Sequence, residues 1–201
     1  MKINNITRRI YCEVYILFNQ RRFGQIGKGC RIYSPLKISG KGNIKLGNNV
    51  ILEYNTWLAA VPNLKDSECC LEIGDDTAIG HFNHIYATKK IVIGKKVLTA
   101  DKVYITDNLH GYENINIPII DQSIKQIGEV IIGDGTWLGE NVCVIGAKIG
   151  KNCVIGANSV VTHDIPGYCV AVGSPARIIK RYNFESNKWE KTNPDGKFLL
   201  L

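Results

Sequence analysis

The stretch ITDNLHGYENINIPIIDQ, residues 105–122, contains the side chain best suited to proton chemistry. His110 lies between Leu109 and Gly111, with Asp107 three residues before it and Tyr112 two after. An imidazole titrates near neutrality, at about pH 6.5 when unperturbed. It can therefore take a proton from an attacking group and return it to a leaving group. A second set, His81, Asn83 and His84 in IGHFNHIYA, has the HxxH spacing that can signal a metal. No third ligand is legible beside it, so no metal is expected. No Ser-His-Asp motif or CxxC pair points to covalent catalysis, and no Walker A sequence to nucleotide hydrolysis. The seven Cys form an odd, unpatterned set, which points to a reducing cytoplasm rather than a disulfide framework. Arg177 and Lys180, near the C-terminus, are either solvated surface or contacts for phosphate.

The elements that must position these residues follow from a repeat. Aliphatic residues recur every six positions, often with Gly directly after. Ile26-Gly27, Ile32, Ile38 and Ile44 form one run; Leu46-Gly47, Leu52 and Leu58 form the next. Ile73-Gly74, Ile79-Gly80, Ile85 and Ile91 follow, then Ile93-Gly94, Thr99 and Ile105. Ile132-Gly133, Leu138-Gly139 and Val144 precede Ile149-Gly150, Ile155-Gly156 and Val161. A period of six fits neither a helix nor a simple strand. It fits a coil whose six-residue steps are a short strand and a corner, with three steps closing a triangle. The aliphatic residue fills the inside, and the Gly behind it is expected to permit a tight corner backbone. Four positions after each aliphatic lies a second, narrow inward site, holding Cys30, Val50, Thr77, Val97, Thr136, Val142, Cys153 and Ser159. Cys30 and Cys153 thereby read as small core residues.

Residues 106–130 break the period and must leave the coil as a loop, and long excursions from compact domains are usually functional. Residues 1–25 form a cap: Ile6, Ile10, Val14 and Leu17 recur at helical spacing, with Arg8, Arg9, Arg21 and Arg22 around them. The segment predicts a helix closing the open end of the coil, as solenoids require, or alternatively a helix lying on a membrane surface. After Pro175 a short helix or strand and an irregular, hairpin-like tail are expected, giving a coil over 26–181 and a tail over 182–201.

The pattern is the hexapeptide repeat, and the chain resembles the left-handed parallel β-helix acyltransferases. The left hand comes from that resemblance, since the usual rule for parallel crossovers gives the opposite. DNLHGY, with Pro118 and Gln122, resembles the D-x-N-H-G-Y…P…Q loop of polysaccharide-cluster O-acetyltransferases, and occupies the place of the catalytic His in galactoside and maltose acetyltransferases. Residues 130–183 resemble the C-terminal part of the acetyl-CoA-dependent members. The resemblance implies acetyl transfer from acetyl-CoA to a saccharide hydroxyl, with His110 as general base. It implies cofactor contacts from Trp137, Gly139, Ala157, Thr162, His163, Arg177 and Lys180. Acceptor contacts are implied for Asn83 and open for His84, Asp107 and Tyr112; Asp107, a backbone carbonyl or a neighbouring subunit would orient His110. His163 stands where the family has Lys, and Val144 to Ile149 is five residues instead of six. A homotrimer with active sites between subunits is implied as well.

Composition narrows the alternatives. The chain has 201 residues, with 25 Lys plus Arg against 18 Asp plus Glu and a net charge of +7. That balance, with a pI near 9.0, suggests an anionic partner. No nucleic-acid module is legible, and basic residues are not interleaved with aromatics, so nucleic acid is not expected. No apolar run reaches the roughly 20 residues of a membrane span, and the N-terminal segment lacks a signal-peptide cleavage site. The competing functions are N-acetylation of an amino sugar or xenobiotic, and a β-helix scaffold without activity. A zinc enzyme of this shape needs three His from adjacent coils, and the four His present offer no obvious trio.

Overall fold

In a computed structural model, residues 5–63 and 68–199 are described; residues 1–4 of the expected cap lie outside them. The chain winds as a triangular coil of parallel strands with three flat faces. The first face stacks Gln25–Ile26, Ile44–Leu46, Cys70–Ile73, Lys90–Ile93, Val130–Ile132 and Lys148–Ile149. The second stacks Arg31–Ile32, Ile51–Leu52, Ala78–Ile79, Leu98–Thr99, Trp137–Leu138, Val154–Ile155 and Cys169–Val172. The third stacks Lys37–Ser39, Trp57–Ala60, His84–Ala87, Tyr104–Thr106, Cys143–Ile145 and Val160–Val161.

The six-residue pattern accounts for the core. Every aliphatic of the repeat from Ile32 onward is buried, apart from a half-buried Ile38, and all eight narrow inward sites are buried too. Where those sites are polar, a bond between coils satisfies them: Thr77 Oγ1 donates to Gly94 O at 2.8 Å and Thr136 Oγ1 to Gly150 O at 2.9 Å.

The glycines serve a different purpose from the one expected. The left-handed corner residue lies two positions further on, at Asn49, Asp76, Lys96, Asn152 and Asn158, each with φ between 51° and 59°. Asn and Asp tolerate that region, which explains their frequency there. The Gly after the aliphatic instead lets successive coils touch. A Cβ on Gly74 would lie 2.7 Å from both the carbonyl carbon and oxygen of Gly94, and backbone there cannot withdraw. Gly74→Ala is therefore expected to destabilise by about 1–3 kcal/mol through overpacking. Gly42, with nothing within 4 Å of its would-be Cβ, supplies a near-neutral control. Thermal melts of the two variants check this.

Helix α1 (Asn5–Asn19) covers the open end of the coil, but not with the stripe that the sequence suggested. Cys12 is buried and donates from Sγ to Ile32 O at 3.3 Å, and Tyr15 and Ile16 pack on the core. Ile6, Ile10, Val14 and Leu17 face away and are exposed.

At the other end, Arg177–Asn183 pairs antiparallel with Cys169–Val172, and Lys188–Lys191 pairs with it in turn. Both extend the second face, so the strand runs through the boundary expected at 181/182. The shortened step after Val144 is turned by Gly146 at φ 59°, with Ala147 buried in the corner.

Candidate active site

The 106–130 excursion leaves at the corner between the third and first faces, opposite the second face. It is not structureless. Asn108–His110 and Ile124–Gln126 form an antiparallel hairpin in which His110 pairs with Ile124. Gly111 N donates to Ser123 O at 2.9 Å, and a Cβ on Gly111 would lie 2.9 Å from that oxygen, so Gly is needed beside His110. The imidazole of His110 is exposed at the hairpin end.

Asp107 fixes the base of this hairpin. Its side chain is fully buried and accepts 2.8 Å bonds from the backbone N–H groups of Thr88, Lys89 and Lys90, and a 3.0 Å bond from Asn108 Nδ2. Burial by itself pushes the carboxyl upward in pKa, but the bonds from Asn108, Thr88, Lys89 and Lys90 outweigh it and hold the group below its ordinary value. The expectation that Asp107 orients His110 or meets substrate is thereby corrected: its oxygens are taken up inside the protein.

Several positioning residues were not singled out in the sequence. The Thr88 hydroxyl lies 3.0 Å from Asp107 Oδ1 and 2.8 Å from Gln126 Oε1, while Gln126 Nε2 donates to Asp107 O at 2.7 Å. Gln122, already marked by the loop resemblance, donates from Nε2 to Asn114 O and Ile117 O, both at 2.9 Å, which ties the loop tip to the end of the 3-10 turn Ile119–Asp121. Asn63, in a shorter excursion after Ala60, donates to Ile124 O at 2.6 Å. On the loop surface Lys125 pairs with Glu113, and chiefly through that contact the Glu113 carboxyl drops to about 2. Tyr112 is exposed next to His110.

Asn83 also needs correction. It is buried inside the coil, with Nδ2 donating to Ala100 O at 2.8 Å and His81 O at 3.3 Å. It occupies the narrow inward site four residues after Ile79 and cannot face a ligand outside. His84 is half-buried on the third face, its ring stacked 4.1 Å from that of Trp57 and also toward Tyr86, and tilted against Tyr104. Burial lowers its pKa, which favours the neutral ring. His81 sits at a corner between Glu53 and Asp101. Among the described residues no group of three His, Cys, Asp or Glu is placed to hold a metal.

The residues tied to the cofactor fall into three places. Trp137 stands outward on the second face in one column with Leu98, Val154, Val170 and Lys180. Strands stack about 4.8 Å apart, so Trp137 and Lys180 are about 14 Å apart along an apolar stripe. Arg177 is exposed on the same strand as Lys180, paired with Val172. Gly139 and Ala157 stack at the corner between the second and third faces, where a Cβ on Gly139 would lie 2.7 Å from Ala157 N. Thr162 and His163 lie after Val160–Val161, at the corner from which the His110 hairpin also leaves; Thr162 Oγ1 is 2.9 Å from His163 Nδ1.

Residues 129–163 match the profile of the hexapeptide repeat of succinyl-transferase. A protein of Escherichia coli K12, named as a candidate lipopolysaccharide biosynthesis O-acetyl transferase (WbbJ), is 37% identical over 173 residues, covering 82% of this chain and 85% of that one. The chain belongs to the hexapeptide-repeat acetyltransferases. The galactoside O-acetyltransferase of Escherichia coli K12 is 29% identical, over 80% of this chain and 65% of that protein's length. The solved structure of AntD, an N-acyltransferase from Bacillus cereus, in complex with dTDP and 3-hydroxybutyryl-CoA, superposes with a TM-score of 0.71. At 20% identity, over 86% of this chain and 90% of that one, it shows a shared fold, the left-handed parallel β-helix. Among the described residues no helix of this acetyltransferase is long and apolar enough to cross a membrane.

Proposed function

We propose that the enzyme transfers an acetyl group from acetyl-CoA to a hydroxyl of a saccharide, in the making of a surface polysaccharide or glycoconjugate. The observation that carries this reading is His110 held exposed on a hairpin whose base Asp107 locks into the coil. A rigidly placed, accessible imidazole suits a general base. His110 takes the proton of the acceptor hydroxyl as its oxygen attacks the thioester carbonyl. The carbon–sulfur bond then breaks, and the imidazolium returns the proton to the departing CoA sulfur. Names of relatives that act on galactosides or in lipopolysaccharide synthesis support a sugar acceptor. Tyr112, exposed beside His110, is suited to stack on a sugar ring.

The stripe from Leu98 through Trp137, Val154 and Val170 suits the methylenes and gem-dimethyl group of an extended pantetheine arm. Lys180 and Arg177 at its end suit the phosphates. His110 and this stripe lie on opposite sides of one coil, so a site using both would form between copies. This supports a homotrimer with closed cyclic symmetry, in which Thr162 and His163 of one copy could serve the hairpin side of the cleft.

Acetyl-CoA consumption measured against a panel of sugars and amino sugars tests the reading. Release of CoA with hydroxyl acceptors is expected; transfer to amines alone would overturn it. Arg177→Ala should raise the apparent acetyl-CoA constant, roughly tenfold, more than it lowers turnover, because a phosphate contact stabilises ground and transition states alike. Donor and acceptor varied separately check this, and unchanged CoA affinity across a salt series would make Arg177 mere surface charge.

A further inference from the structure

We propose that the outward face of α1 docks the enzyme on an anionic lipid bilayer. One side of the helix closes the coil through Cys12, Tyr15 and Ile16. The other is apolar and uncovered: Ile6 is 66%, Ile10 55%, Leu17 65% and Phe18 75% exposed, with Val14 and Tyr11 between them. At 100° per residue these six positions span about 140° of the helix, an apolar face interrupted only by the small Thr7 rather than scattered side chains. Water gains nothing from such a face, and the coil does not use it.

Charge identifies the occupant. Residues 1–31 carry seven Lys and Arg against the single acid Glu13, a net +6 out of the chain's +7. The remaining 170 residues are close to neutral, with 18 basic and 17 acidic side chains. Arg9, Arg21, Arg22, Lys28 and Arg31 are all exposed on or just beyond the helix. A basic helix with one apolar side lies in the plane of a bilayer, its apolar face among the acyl chains and its cations near anionic headgroups. A second copy of the chain fits this face less well, because a symmetric contact would bring like charges together. In a cyclic assembly with its axis along the coils, every copy presents α1 to the same side, so several weak helices would bind one surface together. The docking itself does not depend on that assembly or on the acceptor.

Flotation of the whole chain with phosphatidylcholine vesicles and with vesicles containing phosphatidylglycerol tests the proposal. Co-flotation with the anionic vesicles, weakened by high salt, is expected. The double change Leu17→Glu with Phe18→Glu should lower partitioning on the order of tenfold or more. Arg21→Glu with Arg22→Glu should do the same while leaving the apolar face intact. Melting temperature, mass by light scattering and turnover on a soluble acceptor should not move in either variant. Absence of binding by the unaltered chain, or equal binding to neutral vesicles, would overturn the proposal. So would a fall in assembly mass in the Leu17/Phe18 variant, which would make the face a contact between subunits.

Discussion

His110→Ala is expected to lower turnover on the order of 10²–10⁴-fold while CoA binding persists, the range general-base catalysis supplies. A saccharide hydroxyl is a weak nucleophile near neutral pH and must lose its proton as it attacks. On the proposed reading, without the imidazole that proton has only water to go to, and the barrier rises for the chemical step rather than for binding. The hairpin should survive the change, because the His110 side chain is exposed and the ladder to Ile124 is made by backbone. The loss should therefore appear in kcat, with the apparent constants for both substrates nearly unchanged. Steady-state kinetics with a CoA-binding titration check it, and near-normal turnover would remove His110 from the mechanism.

Asp107→Ala should be the most damaging single change to the scaffold of the site. It removes the acceptor for the backbone N–H groups of Thr88, Lys89 and Lys90 and for Asn108 Nδ2. Each buried donor left without a partner costs about 1–3 kcal/mol. Neighbouring groups relax together, so the whole loss is about 3–5 kcal/mol rather than the sum. For a chain of this size that corresponds to a fall in melting temperature of roughly 10 °C. Turnover should drop with it, since His110 is three residues from the broken anchor. The pH dependence has a definite sign. The folded carboxyl titrates below its unfolded value of about 3.9, so its contribution is complete above that value. It is lost as pH falls through the lower, folded value. The stability gap between Asp107→Ala and the unaltered protein should thus narrow below about pH 4. Melts recorded across that range test it; a gap independent of pH would mean that the ionised carboxylate is not what holds the hairpin.

The sequence by itself determined the coil, because the reason for its period is local. Each six-residue step must put one aliphatic and one small residue into a narrow interior, and each misplaced residue would be felt by the coils on both sides. The departure of the chain at residues 106–130 was legible for the same reason, as the place where that demand lapses. Even Asn83 carried a signal: counting four from Ile79 puts it inward, which its resemblance-based role as an acceptor contact obscured. Only the tertiary structure decided what joins coils. Thr88 meets Asp107 and Gln126 across 19 and 38 residues, and no local pattern fixes such distances. It also decided which side of α1 meets the coil. Ile6, Ile10, Val14 and Leu17 look like a packing face, yet the shape of the coil's end accepts Cys12, Tyr15 and Ile16 instead. The separation of Trp137, Arg177 and Lys180 on the second face from His110 at the opposite corner was likewise invisible. Which face or corner a residue occupies depends on counting steps through excursions of irregular length, and only the folded coil sets that count.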